Sequence, residues 1–220
     1  FAYSDFNSIP SFRLLNNAYI YGNVIRLTPT FRNQTGAVWT KHLVPVALGF
    51  ETTFRFRITE GNNPEHKEQH FPGADGIAFV IQNSSSFAIG NLGGGIGYDG
   101  IPNSIAIEFD TYANDSEQIE NFNDPNDNHI AVLSNGINPN SSKHIFPYVR
   151  GQTTNILPLR TDGTIYYAKV EYDNFNKRLS VWLDTTQNFT NPSLEIEGFD
   201  LASELNLDGG EGAFIGFTSA

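Results

Sequence analysis

Hydrophobic and polar residues alternate along several stretches of the chain, with the two-residue repeat of half-buried β-strands. In residues 49–58 the apolar side chains point to one face and the charged ones to the other. Residues 166–172 and 179–183 repeat this pattern, and the Asn-Phe-Asn stretch between them predicts a hairpin loop. Further strands are predicted at residues 19–27, 76–82, 104–111, 129–134 and 212–217. Residues 201–205 are the exception, because they fit either a short turn of helix or a loop.

These elements predict an all-β protein in which two antiparallel sheets pack face to face. The 220 residues suffice for one substantial core. No Pro/Ser-rich linker, charge block or internal repeat divides them, so we expect residues 1–220 to form a single domain. The chain opens on Phe1 and contains no Met, which suggests a processed product or a domain excised from a larger extracellular protein.

Composition excludes several classes of function. Without Cys the chain can form no disulfide scaffold, thiolate zinc site or Cys nucleophile. Its net charge of −11, with no basic stripe, argues against a nucleic-acid partner. The sequence contains no run of 18 apolar residues, so no membrane span is expected.

The candidate chemistry is concentrated in residues 108–129, which read EFDTYANDSEQIENFNDPNDNH. Glu108 and Asp110 are two apart at the end of a predicted strand, so both carboxylates project from one face. They repel each other unless a cation lies between them. Asp124 and His129 add a further carboxylate and an imidazole as ligand groups. The oxygen donors suit Ca²⁺, and the mixed oxygen and nitrogen donors suit a borderline ion such as Mn²⁺. The alternative is an ordinary surface loop, since Asn and Asp favour tight turns.

The order Glu-x-Asp-x-aromatic-x-Asn, then Asp-Pro, then His resembles the double metal site of the legume (L-type) lectins. The resemblance implies a concanavalin A-like jelly-roll β-sandwich that binds Ca²⁺ and a transition ion, expected to be Mn²⁺. In that pattern Glu108 and His129 hold the transition ion, while Asp110 and Asp124 bridge both ions. The implied metal ligands are Glu108, Asp110, Tyr112 (through its carbonyl oxygen), Asn114, Asp124 and His129.

The chain departs from this pattern in one respect. The stretch between Asn114 and Asp124 is several residues longer than in typical plant members. Other oxygen donors in the loop are therefore alternatives to Asn114, namely Asn121, Asn123 and Asp127.

Two other stretches resemble the same family. Residues 73–79, Gly-Ala-Asp-Gly-Ile-Ala-Phe, match a strand start at which the family has a cis Ala-Asp bond and an Asp that accepts hydrogen bonds from sugar hydroxyls. Residues 93–97 match its glycine loop, which approaches the sugar closely because no Cβ intervenes. An ordinary turn and a flexible loop tip are the respective alternatives. The implied sugar-binding residues are Asp75, Gly94, Tyr112 and Asn114.

The function implied by the resemblance is calcium-dependent binding of glycans or glycoproteins without catalysis, at the cell surface or outside the cell. The metals pre-organise a shallow sugar site, whose weak affinity multivalency raises. The resemblance also leaves room for a homo-oligomer. Residues 214–220 match the family's penultimate segment, and the specificity loop and final strand that follow it in the family are absent from this sequence.

Two other readings remain open. A retaining glycoside hydrolase of the same fold needs two carboxylates about 5–5.5 Å apart, and Glu108 and Asp110 approach that spacing. The similar hydrolases have a further Glu just after the Asp, which residues 111–113 lack. A calcium-stabilised adhesive or structural domain without sugar binding is the other reading. The remaining histidines are expected to be surface or structural residues: His42, His66, His70 and His144.

Overall fold

The computed structural model describes residues 2–59, 73–114, 121–159, 162–207, 210 and 212–220. Within these ranges the chain forms fourteen strands, a 3-10 turn at Gly93–Gly95 and one short α-helix, α1 (Leu201–Glu204). None of the helical segments in these ranges has the length and apolar character needed to cross a membrane. The strands are β1 (Phe12–Asn16), β2 (Tyr19–Tyr21), β3 (Val24–Arg26), β4 (Gly36–Thr40), β5 (Val44–Pro45), β6 (Phe50–Phe56), β7 (Gly76–Gln82), β8 (Ser104–Asp110), β9 (His129–Ser134), β10 (Val149–Thr153), β11 (Tyr166–Asp173), β12 (Arg178–Asp184), β13 (Leu194–Glu197) and β14 (Gly212–Ser219).

The strands form two main sheets, and every pairing is antiparallel. The larger sheet has the order β1-β4-β14-β7-β8-β9-β10, and β5 also pairs with β14. The smaller has the order β13-β12-β11-β6, while β2 and β3 form a separate hairpin. The predicted antiparallel sandwich is therefore confirmed.

Most predicted strands are confirmed. In β6 and β11 the side chains alternate between a more buried and a more exposed face, whereas β8 and β9 are buried on both faces. The strands at 76–82 and 129–134 have the predicted bounds, and the hairpin joining β11 to β12 lies where it was expected. The prediction of one strand over 19–27 is wrong, since the chain turns at Gly22 (φ +61°) and forms β2 and β3. Five strands were not predicted: β1, β4, β5, β10 and β13. The polar loop at 62–70 lies outside the described residues.

The main core fills the space between the two sheets. From β8 it receives every second side chain, which are those of Ile105, Ile107 and Phe109, all almost fully buried. Aromatic rings pack across the interface, and those of Phe54 and Phe217 meet edge to face with centroids 4.7 Å apart. Full burial of one such side chain contributes about 1.5–3 kcal/mol.

A second buried cluster covers the opposite face of the larger sheet. Its large members, among them Trp39 and Tyr98, pack over a floor of alanines on neighbouring strands. The indole N–H of Trp39 donates to the carbonyl oxygen of Ala88 (2.8 Å), which ties the segment after β7 to the sheet. The second faces of β7, β8 and β9 are therefore enclosed as well, and polar side chains on that side of β8 are cut off from solvent.

Truncation of one inter-sheet side chain tests this arrangement. We expect Ile107→Ala to lower the free energy of unfolding by about 2–5 kcal/mol, because it leaves a cavity between the sheets. The measurement is equilibrium urea unfolding. Ile137→Ala is the matched control, since that side chain is 60% exposed and the change should cost less than about 0.5 kcal/mol. Equal losses in the two variants would contradict the assigned core face.

Candidate metal centre

The centre lies at one end of three neighbouring strands. Asp110 at the end of β8 pairs with Gly76 at the start of β7 on one side and with His129 at the start of β9 on the other. Glu108 lies one side-chain repeat earlier on the same face of β8, as predicted from its two-residue spacing. Glu108 and His129 are fully buried and Asp110 is 2% exposed, so each needs a partner within the protein or a bound ion.

Three side chains surround the Glu108 carboxylate. Its Oε1 lies 3.2 Å from Nε2 of His129 and 2.6 Å from Nε2 of His144. Its Oε2 accepts a 2.6 Å hydrogen bond from the Tyr98 hydroxyl. A buried carboxylate is tolerated here because donors from three different parts of the chain converge on it.

The loop after β8 carries Asp124, the third carboxylate that was predicted to bind metal. Asp110 Oδ1 accepts the backbone N–H of Tyr112 (2.7 Å), and Asp124 Oδ2 accepts that of Asn114 (2.6 Å). Donor atoms of Asp110, Asp124 and His129 all lie within 4.8 Å of one another. The structure thus brings together the side chains of all the residues predicted to hold the transition ion.

Asn114 links the metal centre to the predicted sugar site. Its side-chain N–H₂ lies 3.4 Å from Asp75 Oδ1 and donates to it. Its Oδ1 is buried, and no hydrogen-bond donor among the described residues reaches it. Such an orphaned oxygen beside buried carboxylates fits a cation ligand. The alternative donors Asn121, Asn123 and Asp127 are exposed, which favours Asn114.

The glycine loop packs directly on this amide. A Cβ at Gly94 would lie 2.7 Å from Asn114 Cγ and 2.8 Å from Cε2 of Phe122, so a larger residue would displace one of them. Gly94, Tyr112, Asn114 and Asp75 line one wide surface cleft. The four predicted sugar-binding residues are therefore brought together, and Phe122 adds an aromatic wall that sequence reasoning did not single out.

Asp75 is held by neighbouring segments. Its peptide bond to Ala74 is cis, as the resemblance implies. Its backbone N–H donates to the carbonyl oxygen of Ala220 (2.8 Å), and its own carbonyl oxygen accepts the N–H of Thr111 (3.0 Å). The Asp75 carboxylate is thereby fixed at the edge of the cleft.

The pKa values of two carboxyl groups are raised, one at the edge of the cleft and one in the centre. Burial raises the pKa of Asp75 to about 6, although the hydrogen bond from Asn114 partly opposes this shift. Burial, followed by the nearby charge of Glu108, raises the pKa of Asp110 well above its usual range. A bound cation would relieve this repulsion, since an opposite charge at close range favours the ionised form.

The pKa values of Glu108 and His144 shift so that each side chain favours its charged form. Burial alone would raise the pKa of Glu108, but the adjacent imidazoles of His144 and His129 lower it to about 2. Burial alone would lower the pKa of His144, but Glu108 and Asp124 raise it to about 10. Burial and the charge of Glu108 raise the pKa of Tyr98, which keeps the phenol protonated as a donor.

His144 is buried within the centre. It was expected to be a surface or structural residue rather than a catalytic one, and only the surface alternative is wrong, because its side chain is 1% exposed and contacts Glu108 and Asp124. No local pattern pointed to it, because it lies in an irregular segment 15 residues after His129. His42 is exposed as expected, whereas His66 and His70 lie outside the described residues.

Comparison with known proteins agrees with this geometry. The model of the legume lectin beta-barrel domain of L-type lectins matches residues 4–220. The chain belongs to the L-type lectin family. A probable L-type lectin-domain containing receptor kinase, S.7 of Arabidopsis thaliana, is 28% identical over 215 residues, which are 91% of this lectin domain and 26% of the kinase. The pesticidal crystal protein Cry22Aa of Bacillus thuringiensis is 37% identical over 95 residues, which are 43% of this chain and 12% of that protein. The L-type lectin chain thus spans about a quarter or less of these two relatives.

Solved lectin structures share the fold. The lectin from Bauhinia forficata in complex with GalNAc superposes with a TM-score of 0.69 at 24% identity, over 100% of this chain and 90% of that one. The VIP36 exoplasmic/lumenal domain in its Ca²⁺/Man3GlcNAc-bound form gives 0.70 at 20% identity, over 98% and 78% of the chains. At such identities the likeness establishes the fold alone, which is the concanavalin A-like jelly roll.

Removal of the Tyr98 hydroxyl tests whether Glu108 depends on this donor. We expect Tyr98→Phe to lower the free energy of unfolding of the ion-free lectin domain by about 1.5–3 kcal/mol, because a buried carboxylate oxygen loses its hydrogen bond. Urea unfolding in the presence of a chelator measures the change. Tyr21→Phe, at an exposed ring, should change it by less than about 0.5 kcal/mol. If Tyr98→Phe also costs under about 0.5 kcal/mol, the hydroxyl does not stabilise the carboxylate.

Proposed function

We propose that the chain is a non-catalytic lectin domain that binds carbohydrate in a calcium-dependent manner. The observation that carries the proposal is the position of Asn114, whose amide N–H₂ contacts Asp75 in the cleft while its buried oxygen has no donor in the described part of the chain. One residue therefore belongs to both the metal centre and the cleft. The sugar complexes among the structural neighbours support the same function.

Two ions would occupy the centre. The calcium ion would be held by Asp110, the Tyr112 carbonyl oxygen, Asn114 and Asp124. Glu108 and His129, with the two bridging aspartates, would hold the transition ion, for which the family pattern predicts Mn²⁺. Bound ions would supply positive charge between the loop after β8 and the strand ends, and they would not contact the sugar. Pre-ordered loops lower the entropy lost on ligand binding.

The cleft offers complementary groups to a sugar ring. The Asp75 carboxylate would accept hydrogen bonds from hydroxyl groups, while the Asn114 amide and the Gly94 backbone N–H would donate to them. The Tyr112 ring would stack on an apolar sugar face. A shallow site of this kind binds one sugar weakly, so multivalency, supplied for instance by a homo-oligomer, would raise the affinity. The partners would be glycans or glycoproteins outside the cell or at its surface.

The position of the carboxylates disfavours the glycoside hydrolase. Glu108 is enclosed by two imidazoles and a phenol, and it lies behind the cleft rather than lining it. A general acid must come within hydrogen-bond reach of the glycosidic oxygen. The calcium-stabilised scaffold without sugar binding is the remaining alternative, and it predicts an ion site without an occupied cleft.

A glycan array probed with and without EDTA separates the three functions. We expect binding in the presence of Ca²⁺ and Mn²⁺, loss of binding in EDTA and recovery after both ions are restored, because the ions order the cleft. Incubation with the bound oligosaccharides should leave them uncleaved. Cleavage of the oligosaccharides would favour the hydrolase. The absence of glycan binding with both ions present would favour the scaffold.

Asp110→Ala tests the metal requirement within the protein. Loss of the bridging carboxylate should reduce calcium uptake and abolish sugar binding, while the far-UV circular dichroism spectrum stays that of a β protein. Calcium titration and glycan binding are measured on the same sample. Glu195→Ala removes an exposed carboxylate from the four-stranded sheet and should leave both unchanged. Normal sugar binding by Asp110→Ala would show that the metal assignment is wrong.

A further inference from the structure

His144 reaches the metal centre from a segment with fixed attachments. Its backbone N–H donates to the carbonyl oxygen of Phe122 (2.7 Å), which connects it to the loop that carries Asp124. Two residues earlier, the backbone N–H of Ser142 donates to Asp99 Oδ1 (3.0 Å). These backbone hydrogen bonds hold the segment that carries His144 next to the centre.

Three donor atoms form a small triangle inside the centre. The Nε2 atom of His144 lies 2.6 Å from Glu108 Oε1 and 3.0 Å from Nε2 of His129, and the third edge, from His129 to Glu108, is 3.2 Å. All three side chains are at most 1% exposed. Bond lengths of about 2.0–2.1 Å to one ion place neighbouring ligand atoms about 3.0–3.4 Å apart. Two of the three edges have that length.

An oxygen atom lies within 3.0 Å of the outer nitrogen of each imidazole. The Nδ1 atom of His129 lies 2.9 Å from the carbonyl oxygen of Asn126, so it carries the proton and leaves the Nε2 lone pair facing the triangle in the neutral ring. The Nδ1 atom of His144 lies 3.0 Å from Asp124 Oδ1. Metal-binding histidines commonly have such a carbonyl or carboxylate behind the ring, which orients the ring and increases its basicity.

We propose that His144 is a direct ligand of the transition ion and forms, with Glu108 and His129, a set of two imidazole nitrogens and one carboxylate oxygen. The pattern carried over from the family contains a single imidazole, so this ligand is additional. Imidazole suits Zn²⁺, whereas carboxylate and carbonyl oxygens suit Mn²⁺. The second imidazole therefore shifts the preference of this centre from Mn²⁺ to Zn²⁺. This inference rests on the metal centre of the proposed function.

X-ray absorption at the zinc edge tests the ligand set directly. The metal-free protein is loaded with excess Ca²⁺ and then with one equivalent of Zn²⁺, and the imidazoles bound to zinc are counted. We expect two in the wild-type protein and one in His144→Ser. In competition with a chromophoric chelator, His144→Ser should bind Zn²⁺ more weakly by more than the roughly 10–100-fold that loss of an outer-shell partner costs, with a smaller change for Mn²⁺. The control is His42→Ser, which removes an exposed imidazole and should match the wild type.

The number of imidazoles bound to zinc in the wild-type protein tests the proposal even if His144→Ser fails to fold. One imidazole in the wild-type protein, or an unchanged zinc affinity in a folded His144→Ser, would overturn the proposal. So would failure to take up Zn²⁺ because His144 stays bound to Glu108 as an imidazolium. That last result would also remove the transition ion from the proposed function. Two imidazoles on zinc without any glycan binding would sustain this inference while contradicting the lectin function.

Discussion

The burial of negative charge at the ends of three paired strands is the constraint on which the rest of the structure depends. Glu108 and Asp110 project from β8 toward the face that the segment after β7 covers, so water cannot solvate them. A buried carboxylate costs several kcal/mol unless donors or cations reach it. Other parts of the chain supply those groups, including the imidazoles of His129 at the start of β9 and of His144 in the segment after β9. Contacts with these carboxylates therefore help to fix the conformation of the loops.

This constraint connects the metal centre to the cleft. The Asn114 backbone N–H donates to Asp124 in the candidate metal centre, and its side chain contacts Asp75 in the cleft. Gly94 packs against the same amide, so a shift of Asn114 would displace the glycine loop as well. In the proposed function, ions that do not contact the sugar would raise its affinity, because they would fix Asn114 in place.

Membership of the L-type lectin family leaves room for variation inside the centre. The carboxylates of β8 and the imidazole of His129 follow the family pattern, whereas the contacts of His144 come from a segment whose sequence does not resemble a metal motif. Protein ligands select among divalent ions through donor type more than through affinity alone. A single loop residue can therefore change which ion the same fold retains.

The sequence by itself determined the strands with one exposed face, such as β6 and β11, because alternation is visible along the chain. It also placed Glu108 and Asp110 on one face, since strand geometry is local. It did not reveal β4, a strand of five buried residues, although the longer strands β8 and β9, which are also buried on both faces, were predicted. Only the tertiary structure decided that His144 meets Glu108, which is 36 residues away in sequence. That contact depends on how β9 and the following loop return to β8, and no local pattern encodes such a return.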